Sequence, residues 1–413
     1  MRITFVTHRY SAWIGGTESF LHGLSHELAQ RHEVMVLAHR IDPGPSDRLT
    51  DSLRPPPTFE PFLDGGVRVK PLRFSRLRSA ALAPLVFQVV PGLRRYAYGP
   101  IRRPAASLYA HVVGPVIANE ARRAEVIHVL SGGFLGAAAV RAAQLCGAPA
   151  VVTAFIHRHQ WGDDPTSAAV YRSADRVVAL LEVEAQIYRE LGVAPERICV
   201  CGLGVTAVNA RGGGELRRSH GIEGPLVLFL GARREYKGAD VLLAAAREIG
   251  KHVPNVTLAF VGPGDPLVVE SSMPRVLEIP PVGEDGRAAW LDAADVLCLP
   301  SAAESFGLVV VEAWSVRKPV VVSDIPTLRE LVGDAEGGIV AAREAPAVAE
   351  AVVRLLTDPA TAARLGDRGY RRWADRYTIE YVARRHESMY ESLTKAQGSA
   401  IGRPAWRHST RLR

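Results

Sequence analysis

The feature that most constrains the fold is an apolar run that leads through a glycine turn into a second apolar stretch. Residues 295–300 have the composition of a buried parallel strand, and Glu304, Gly307 and Glu312 follow them closely. A strand followed at once by a helix is the repeating unit of a parallel α/β sheet. The sequence therefore predicts that both glutamates lie at the carboxyl end of a strand, where such sheets bind ligands.

The residues around Gly307 suit a phosphate group. Gly307 lets the backbone turn closely, and a helix from about Leu308 offers first-turn amides without intrahelical partners, which attract anions. Glu304 precedes this turn and is expected to point at the ligand. Glu312 lies about one turn inside the helix, and its carboxylate suits the neighbouring hydroxyls of a ribose or a hexose. The alternative is that the helix dipole alone favours acids at this place.

A second predicted strand end carries positive charge. Residues 226–230 are apolar, and Arg233, Arg234 and Lys237 follow them before a helix rich in Ala and Leu. Cations at a strand end, beside the start of a helix, can form a clamp for a diphosphate. The alternative is that these three residues are a solvated charge cluster in a loop. Further apolar runs that predict strands alternate with helices near residues 3–7, 34–38, 126–130, 150–154, 176–180, 198–201 and 258–261.

The order of these motifs resembles that of the retaining glycosyltransferases of family four. The motifs are a Gly with a following Lys-Gly at 231–238, Val-Gly-x-Gly at 261–264, Ala-Asp-Val-x-x-x-Pro-Ser at 294–301, the Glu pair, and Lys-Pro-Val-Val at 318–321. In the first half, Gly15 and Gly16 head an amphipathic helix that ends near Gln30. The resemblance extends from Arg2 to about Leu393.

The resemblance implies an α/β protein with the GT-B fold, in which two Rossmann-like doubly wound domains face each other across a cleft. The expected parts are an acceptor-binding domain at 1–205, a polar, Gly-rich linker at 206–224 and a nucleotide-sugar domain at 225–375. A helix at 376–395 is expected to cross back to the first domain. A basic tail at 396–413 is expected to be disordered. The implied activity is transfer of a sugar from a nucleoside-diphosphate sugar to an acceptor hydroxyl with retention of the anomeric configuration.

The resemblance also implies a role for each site residue. His157, Lys237 and Glu304 are the expected catalytic residues. Lys237, with a neighbouring arginine, neutralises the diphosphate, Glu304 contacts the donor sugar, and Glu312 holds the ribose. The remaining donor-binding positions are Gly15, Gly16, Arg233, Ser305, Phe306, Gly307 and Leu308, of which Phe306 to Leu308 act through their amides.

Three positions depart from the family pattern. Ala232 stands where the family has an arginine, so either Arg233 or Arg234 takes that role. The active-site histidine comes later after its strand than usual, which favours His157, with His159 behind it. Arg317 replaces a small residue before the Lys-Pro-Val-Val strand and indicates a changed local turn.

No metal or cofactor is expected, because no Asp-x-Asp motif occurs in the chain and Lys237 with the helix amides supplies the positive charge at the phosphate; the alternative is a loosely held divalent ion. Cys199 and Cys201 have no second cysteine cluster, which favours a core position over a zinc half-site. Four unclustered cysteines, a first strand that begins directly after Met1, and no apolar run of about 20 residues predict a cytoplasmic protein.

Positive charge is concentrated in two segments. Residues 67–119 contain nine Lys or Arg and residues 395–413 contain five, with no acid in either segment. These two segments carry a net charge of +14, and because the whole chain carries +7, the remaining residues carry −7. Residues 68–103 therefore suit peripheral contact with the anionic inner face of a membrane, or a lipid-linked or phosphorylated acceptor. The alternative is a helix of the first domain that packs on its sheet. Nucleic acid is not expected, since no recognition helix is apparent.

Three other functions are alternatives. A dinucleotide-dependent oxidoreductase would need a G-x-G-x-x-G motif with a suitably placed acid, and the chain does not contain this combination. A nucleotide-sugar epimerase of related fold needs acid–base groups inside the sugar pocket rather than a cradle for a leaving group. A protein that binds nucleotide sugars without catalysis is the third alternative.

Overall fold

Two parallel sheets form the framework of the molecule. The computed structural model describes residues 1–11, 15–41, 59–73, 75–88, 102–158, 160–209, 211–333 and 337–400. The eight strands of the first sheet lie in the order Phe62–Asp64, Val67–Pro71, Glu33–Arg40, Arg2–Arg9, Val126–Val129, Ala150–Thr153, Arg176–Ala179 and Ile198–Val200; the first two pair antiparallel and every other pairing is parallel. The six strands of the second sheet lie in the order Arg275–Ile279, Thr257–Val261, Leu226–Leu230, Val296–Leu299, Val320–Ser323 and Gly338–Ala341, and all their pairings are parallel. This architecture confirms the predicted pair of doubly wound domains.

In the first domain, most strands alternate with helices that cover the two faces of the sheet. Its elements are β1 (Arg2–Arg9), α1 (Gly16–Ala29), β2 (Glu33–Arg40), β3 (Phe62–Asp64), β4 (Val67–Pro71), α2 (Arg76–Ala81), α3 (Arg102–Glu120), β5 (Val126–Val129), α4 (Gly133–Cys146), β6 (Ala150–Thr153), α5 (Pro165–Ser173), β7 (Arg176–Ala179), α6 (Glu182–Glu190) and β8 (Ile198–Val200). Each strand predicted from an apolar run is present, and β3 and β4 are additional.

The second domain has the same build. Its elements are α7 (Gly213–Ser219), β9 (Leu226–Leu230), α8 (Ala239–His252), β10 (Thr257–Val261), β11 (Arg275–Ile279), α9 (Glu284–Ala293), β12 (Val296–Leu299), α10 (Leu308–Ser315), β13 (Val320–Ser323), α11 (Pro326–Val332), β14 (Gly338–Ala341), α12 (Ala345–Thr357) and α13 (Pro359–Arg376). The strands that the sequence predicts here are fully buried, since helices cover both faces of the sheet.

Two helices lie at the predicted edges of the domains. The predicted linker, 206–224, contains α7, which packs on α9: the amide of Gly213 donates to Asp292 at 2.9 Å, and the Arg217 guanidinium donates to the carbonyl of Ala293 at 2.6 Å. The last helix, α14 (Ile379–Ala400), continues past the predicted end at residue 395. Of the tail predicted to be disordered, residues 401–413 lie outside the described residues.

Helix α14 ties the end of the chain to the first domain. It packs along α1, and its buried Tyr390 hydroxyl lies 2.6 Å from Nδ1 of His128 on β5. Arg385 donates to the carbonyl of Val200 at 2.7 Å. Because α13 belongs to the second domain, the turn between α13 and α14 is a crossing point between the two halves. Among the described residues, no helix is both long enough and apolar enough to cross a bilayer.

Arg317, expected to change a local turn, lies in the left-handed region with φ of 58°. Its guanidinium lies over the ring of Tyr370 at 3.8 Å and pairs with Asp367 at 2.5 Å. These two contacts hold an arginine in a backbone conformation that favours glycine.

Candidate active site

Strands β9 and β12 lie side by side in the second sheet where its strand order reverses, and their carboxyl ends open into the inter-domain cleft. Crevices of this kind are where doubly wound sheets bind ligands. Lys237 follows β9 and Glu304 follows β12, and Lys237 Nζ lies 2.7 Å from Glu304 Oε1. The Ser301 hydroxyl donates to the same carboxylate oxygen at 2.9 Å. The structure therefore brings together two side chains that are 67 positions apart in the sequence.

The loop that carries Lys237 is packed tightly against the end of β12. Gly238 has φ of 79°, and a Cβ placed there would lie 2.0 Å from the carbonyl oxygen of Pro300. Only glycine tolerates this approach in this conformation. The Arg343 guanidinium reinforces the contact by donating to the carbonyls of Pro300 at 3.0 Å and Glu235 at 2.8 Å.

Two helices begin at the cleft from opposite domains. Gly16 and Thr17 of α1 line the cleft from one side, and Leu308 and Val309 of α10 line it from the other. A Cβ on Gly16 would lie 3.7 Å from the Leu308 side chain, so the two helix starts are close neighbours. Each start has partial positive charge and amides without intrahelical partners, which makes the space between them suitable for a polyanion.

The turn before α10 is held by buried packing. Phe306 is 1% exposed, and its ring contacts the ring of Tyr377 edge-on with 5.4 Å between centroids, so the side chain belongs to the core. Phe306 is nevertheless one of the residues that line the cleft. Gly307 has φ of 94°, and a Cβ there would lie 2.9 Å from the Leu328 side chain. Ser305 also lines the cleft. This geometry fits the predicted use of backbone amides at 306–308.

Glu312 is 8% exposed and forms an ion pair with Arg287 of α9, whose Nη2 contacts both carboxylate oxygens. Sequence reasoning missed Arg287 because α9 has no motif that marks it. Arg287 lines the same cleft as Lys237, and Glu312 borders the adjoining cavity between α1 and α9. The pair therefore fixes the carboxylate that is expected to hold a ribose.

The first domain contributes the loop after β6. His157 is 8% exposed, lines the cleft and stacks on Trp161 at 3.9 Å between ring centroids. The backbones of His157 and Trp161 exchange two hydrogen bonds of 3.0 Å, and the Trp161 indole donates to the carbonyl of Phe155. Phe155 has φ of 55°. His159, the alternative histidine, lies outside the described residues.

A buried carboxyl group holds this histidine loop from behind. Glu184 on α6 accepts hydrogen bonds from the amides of Ile156 at 2.8 Å and Leu180 at 2.6 Å. Burial raises the pKa of Glu184 to about 7, although the two amides act in the opposite direction. Sequence reasoning missed Glu184, since neither of its partners is a side chain.

The structure does not bring Arg233 into the cleft. Its guanidinium donates to the carbonyls of Gly262 at 2.7 Å and Gly264 at 3.1 Å, and it lies 3.6 Å from Glu278. Arg233 thus fastens the turn after β10, whereas Arg234 is exposed. Arg287, from a different helix, lines the same cleft as Lys237.

All the other predicted site residues border one cavity of about 470 Å³ or, for Glu312, the cavity that adjoins it. Gly15 and Gly16 line the first cavity from the first domain. Pro281 and Val282 line it from the second. The first cavity combines an anion-attracting centre, the fixed carboxylate of Glu304 and a histidine, and the adjoining cavity adds the carboxylate of Glu312.

Two family models match the chain, one for each domain. Residues 15–204 match the glycosyl transferase 4-like domain, and residues 224–358 match the glycosyl transferases group 1. A D-inositol 3-phosphate glycosyltransferase 2 from Catenulispora acidiphila is 32% identical over 235 residues, covering 50% of this chain and 55% of the relative. A phosphatidyl-myo-inositol mannosyltransferase from Mycobacterium leprae is 35% identical over 184 residues, covering 42% and 49%. The chain thus spans about half the length of these curated relatives.

Solved structures show the same fold. HepE from Anabaena in complex with UDP and glucose superimposes with a TM-score of 0.69, covering 95% of this chain and all of that one, at 17% sequence identity. At this level of identity the likeness establishes the arrangement of two domains and no more.

Proposed function

The chain belongs to the group 1 glycosyl transferases, and we propose that it moves a sugar from a nucleoside-diphosphate sugar to an acceptor hydroxyl with retention of the anomeric configuration. The observation that carries this proposal is the position of Lys237, 2.7 Å from Glu304, at a cleft where two helices begin. This is the environment that a departing diphosphate requires.

In the proposed reaction, the bond between the anomeric carbon and the diphosphate oxygen breaks, and its electron pair leaves with the nucleoside diphosphate. The acceptor oxygen bonds to the same carbon, and its proton leaves with the diphosphate product. Lys237 and the amides at 306–308 stabilise the negative charge that develops on the leaving group. No metal ion is required for this step.

The remaining roles follow from placement. Glu304 binds hydroxyls of the donor sugar, Glu312 binds the ribose while Arg287 orients it, and Pro281 and Val282 contact the base. His157 faces the sugar from the other domain, and its stacking on Trp161 fixes the plane of the imidazole. The glycine pair at the start of α1 lets the backbone approach the phosphate closely.

The names of the relatives suggest which substrates to test first. Two are named for a phosphorylated inositol or a phosphatidylinositol acceptor, and a structural neighbour was solved with UDP. We propose a phosphorylated polyol or its lipid-linked form as the acceptor class.

The direct test is to incubate the full chain with UDP- and GDP-sugars and with inositol phosphate or phosphatidylinositol, and to measure free nucleoside diphosphate and glycosylated product. Transfer predicts nucleoside diphosphate that depends on the acceptor. Isomerised donor without nucleotide release would indicate an epimerase, and binding without turnover would indicate a non-catalytic protein. Lys237→Met should lower the rate about a hundredfold or more.

We further propose that the basic segment 68–103 makes peripheral contact with an anionic membrane at the cytoplasmic face. The support is an exposed pair on α2, where Leu77 is 84% exposed beside the exposed Arg78. Residues 89–101 lie outside the described residues. Sedimentation with anionic and neutral liposomes, at low and high salt, tests this contact, and equal sedimentation with both kinds of vesicle would rule it out.

A further inference from the structure

Away from the diphosphate centre, two histidines and an aspartate converge between α1 and the β3–β4 hairpin. His22 and His26 are one helical turn apart on α1, and their Nε2 atoms each lie 3.2 Å from the same Asp64 oxygen, Oδ2. Asp64 ends β3. Among the described residues, these three form the one group of at least three His, Cys, Asp or Glu residues whose ligand atoms all lie within 4.8 Å of one another, which is close enough to share an ion.

The distance from each imidazole nitrogen to the carboxylate oxygen fits a tetrahedral metal centre. Zinc bonds to imidazole nitrogen and carboxylate oxygen at about 2.0–2.1 Å, so two ligands of a tetrahedral ion lie about 3.3–3.4 Å apart. The two nitrogen–oxygen distances of 3.2 Å are close to this value. An ion would therefore need little movement of the backbone to bind.

The surroundings also suit metal ligands. The Tyr10 hydroxyl, on a residue that is 3% exposed, donates to Asp64 Oδ2 at 2.9 Å, which is how outer partners orient a ligating carboxylate.

We propose that His22, His26 and Asp64 bind a divalent transition-metal ion, with zinc as the expected occupant. Two imidazoles and one carboxylate select zinc or a similar ion over magnesium or calcium, which prefer oxygen ligands. His22 and His26 border a cavity of about 690 Å³ between α1 and α9, so the fourth coordination position is open to water or to a ligand in that cavity. The ion would join α1 to the β3–β4 hairpin.

This site uses none of Lys237, Glu304 and Glu312 as ligands, although its two histidines border the same cavity as Glu312. The competing explanation is a hydrogen-bonded cluster, in which Tyr10 and the imidazole protons satisfy Asp64 without an ion. The two explanations differ in whether the chain binds zinc through these three side chains.

The test is calorimetric titration of the full-length, tag-free, metal-stripped chain with zinc chloride and, separately, magnesium chloride. We expect one zinc per chain and no comparable binding of magnesium. His22→Gln, His26→Gln and Asp64→Asn should each weaken zinc binding at least tenfold. Thermal melting of each metal-free variant shows whether it folds, and zinc should raise the melting temperature of the wild type but not of the variants.

Two control variants sharpen the result. His252→Gln removes an exposed histidine that also contacts a carboxylate four positions away, and it should leave zinc binding unchanged. The second control concerns Cys199 and Cys201, whose sulfur atoms lie 3.4 Å apart and which could also bind zinc. Cys199→Ser removes one of these two thiols. Zinc binding that is absent in the wild type, unchanged in the three cluster variants, or lost only in Cys199→Ser would overturn the proposal.

Discussion

At the scale of single residues, two ion pairs fix the carboxylates of the proposed donor site. Glu304 is held by Lys237 and Ser301, and Glu312 is held by Arg287. The Glu304 side chain is 7% exposed and that of Glu312 is 11% exposed. Removing one partner of such a pair leaves a poorly solvated charge, which costs more than the intact pair contributes. Each cation should therefore act partly by positioning its carboxylate.

Replacing Arg287 should separate donor binding from chemistry. In Arg287→Met, Glu312 loses the side chain that orients it, so we expect donor affinity to fall about tenfold or more, equivalent to about 1.4 kcal/mol. The kcat at saturating donor should change less, and Arg287→Lys should recover part of the affinity. Steady-state kinetics and direct donor titration measure the two effects. Arg247→Met, which breaks an exposed ion pair with Glu270, is the control. If Arg287→Met lowered kcat but left donor affinity unchanged, the positioning role of Arg287 would be contradicted.

Glu184 should make stability depend on pH. Its pKa is about 7 in the folded chain against an ordinary 4.5, so folding favours the protonated carboxyl group. The stabilisation is fully present below pH 4.5 and is lost as pH rises towards 7, with an upper limit of about 3 kcal/mol. Glu184→Gln cannot ionise. The difference in unfolding free energy between wild type and variant, from urea titration at pH 5 and 7.5, should shift in favour of the variant at the higher pH.

The control for this titration is Glu190→Gln on the same helix, where the carboxylate is exposed and pairs with Arg158. Its difference from the wild type should be nearly the same at both pH values. A difference that is equally constant for Glu184→Gln would mean that Glu184 is ionised throughout this range.

At the scale of elements, the sequence predicted the strand–turn–helix units and missed the sheet edges. The run 295–300 became β12, and α10 begins at Leu308 as predicted, because a buried parallel strand and a Gly turn leave strong local signals. Strand β11 is only partly buried and lies at an edge of its sheet. Its residues therefore lack the continuous apolar run that identifies an inner strand.

Site residues that act through distant elements were also beyond the sequence. Glu304 and Lys237 follow recognisable strands, whereas Arg287, Glu184 and Asp64 gain their roles from partners on other elements. Arg233 shows the reverse error: its position after β9 suggested a phosphate ligand, but nearby carbonyls of the β10 turn hold its guanidinium. Chain spacing does not show which way a long side chain turns.

The β9–α8 loop should not accept any side chain at Gly238. In Gly238→Ala, the new methyl group meets the Pro300 carbonyl at a φ that L-residues avoid, so the loop with Lys237 must move. We expect kcat to fall at least tenfold, because the cation no longer meets the leaving group. Gly214→Ala in α7 meets only the end of Arg218 at 3.7 Å and should leave turnover unchanged. Normal turnover by Gly238→Ala would show that the position of Lys237 is not set by this contact.

At the scale of the whole molecule, two sets of hydrogen bonds join the two domains. In the first, the Val205 amide donates to the Tyr377 carbonyl at 2.9 Å, and the Ile379 amide donates to the Val205 carbonyl at 3.2 Å. In the second, the Glu330 carboxylate of α11 accepts hydrogen bonds from the amides of Glu182 and Val183 at the start of α6, at 2.7 and 2.8 Å. The first set joins backbone groups to backbone groups, whereas both hydrogen bonds of the second set are accepted by the side chain of Glu330.

Glu330 should therefore control how readily the cleft closes. A carboxylate at a helix start gains from both the amides and the helix dipole, at about 1–3 kcal/mol in total. Glu330→Ala removes this link, so the closed arrangement becomes less populated and the apparent Kd of the donor should rise by roughly that free energy, about fivefold to a hundredfold. Small-angle scattering of the donor-free chain should show a larger radius of gyration. Glu350→Ala, at an exposed position on α12, is the matched control. If Glu330→Ala binds the donor as tightly as Glu350→Ala and keeps the same radius, the link does not set the domain arrangement, and the Val205 hydrogen bonds alone must hold the two halves of the cleft in register.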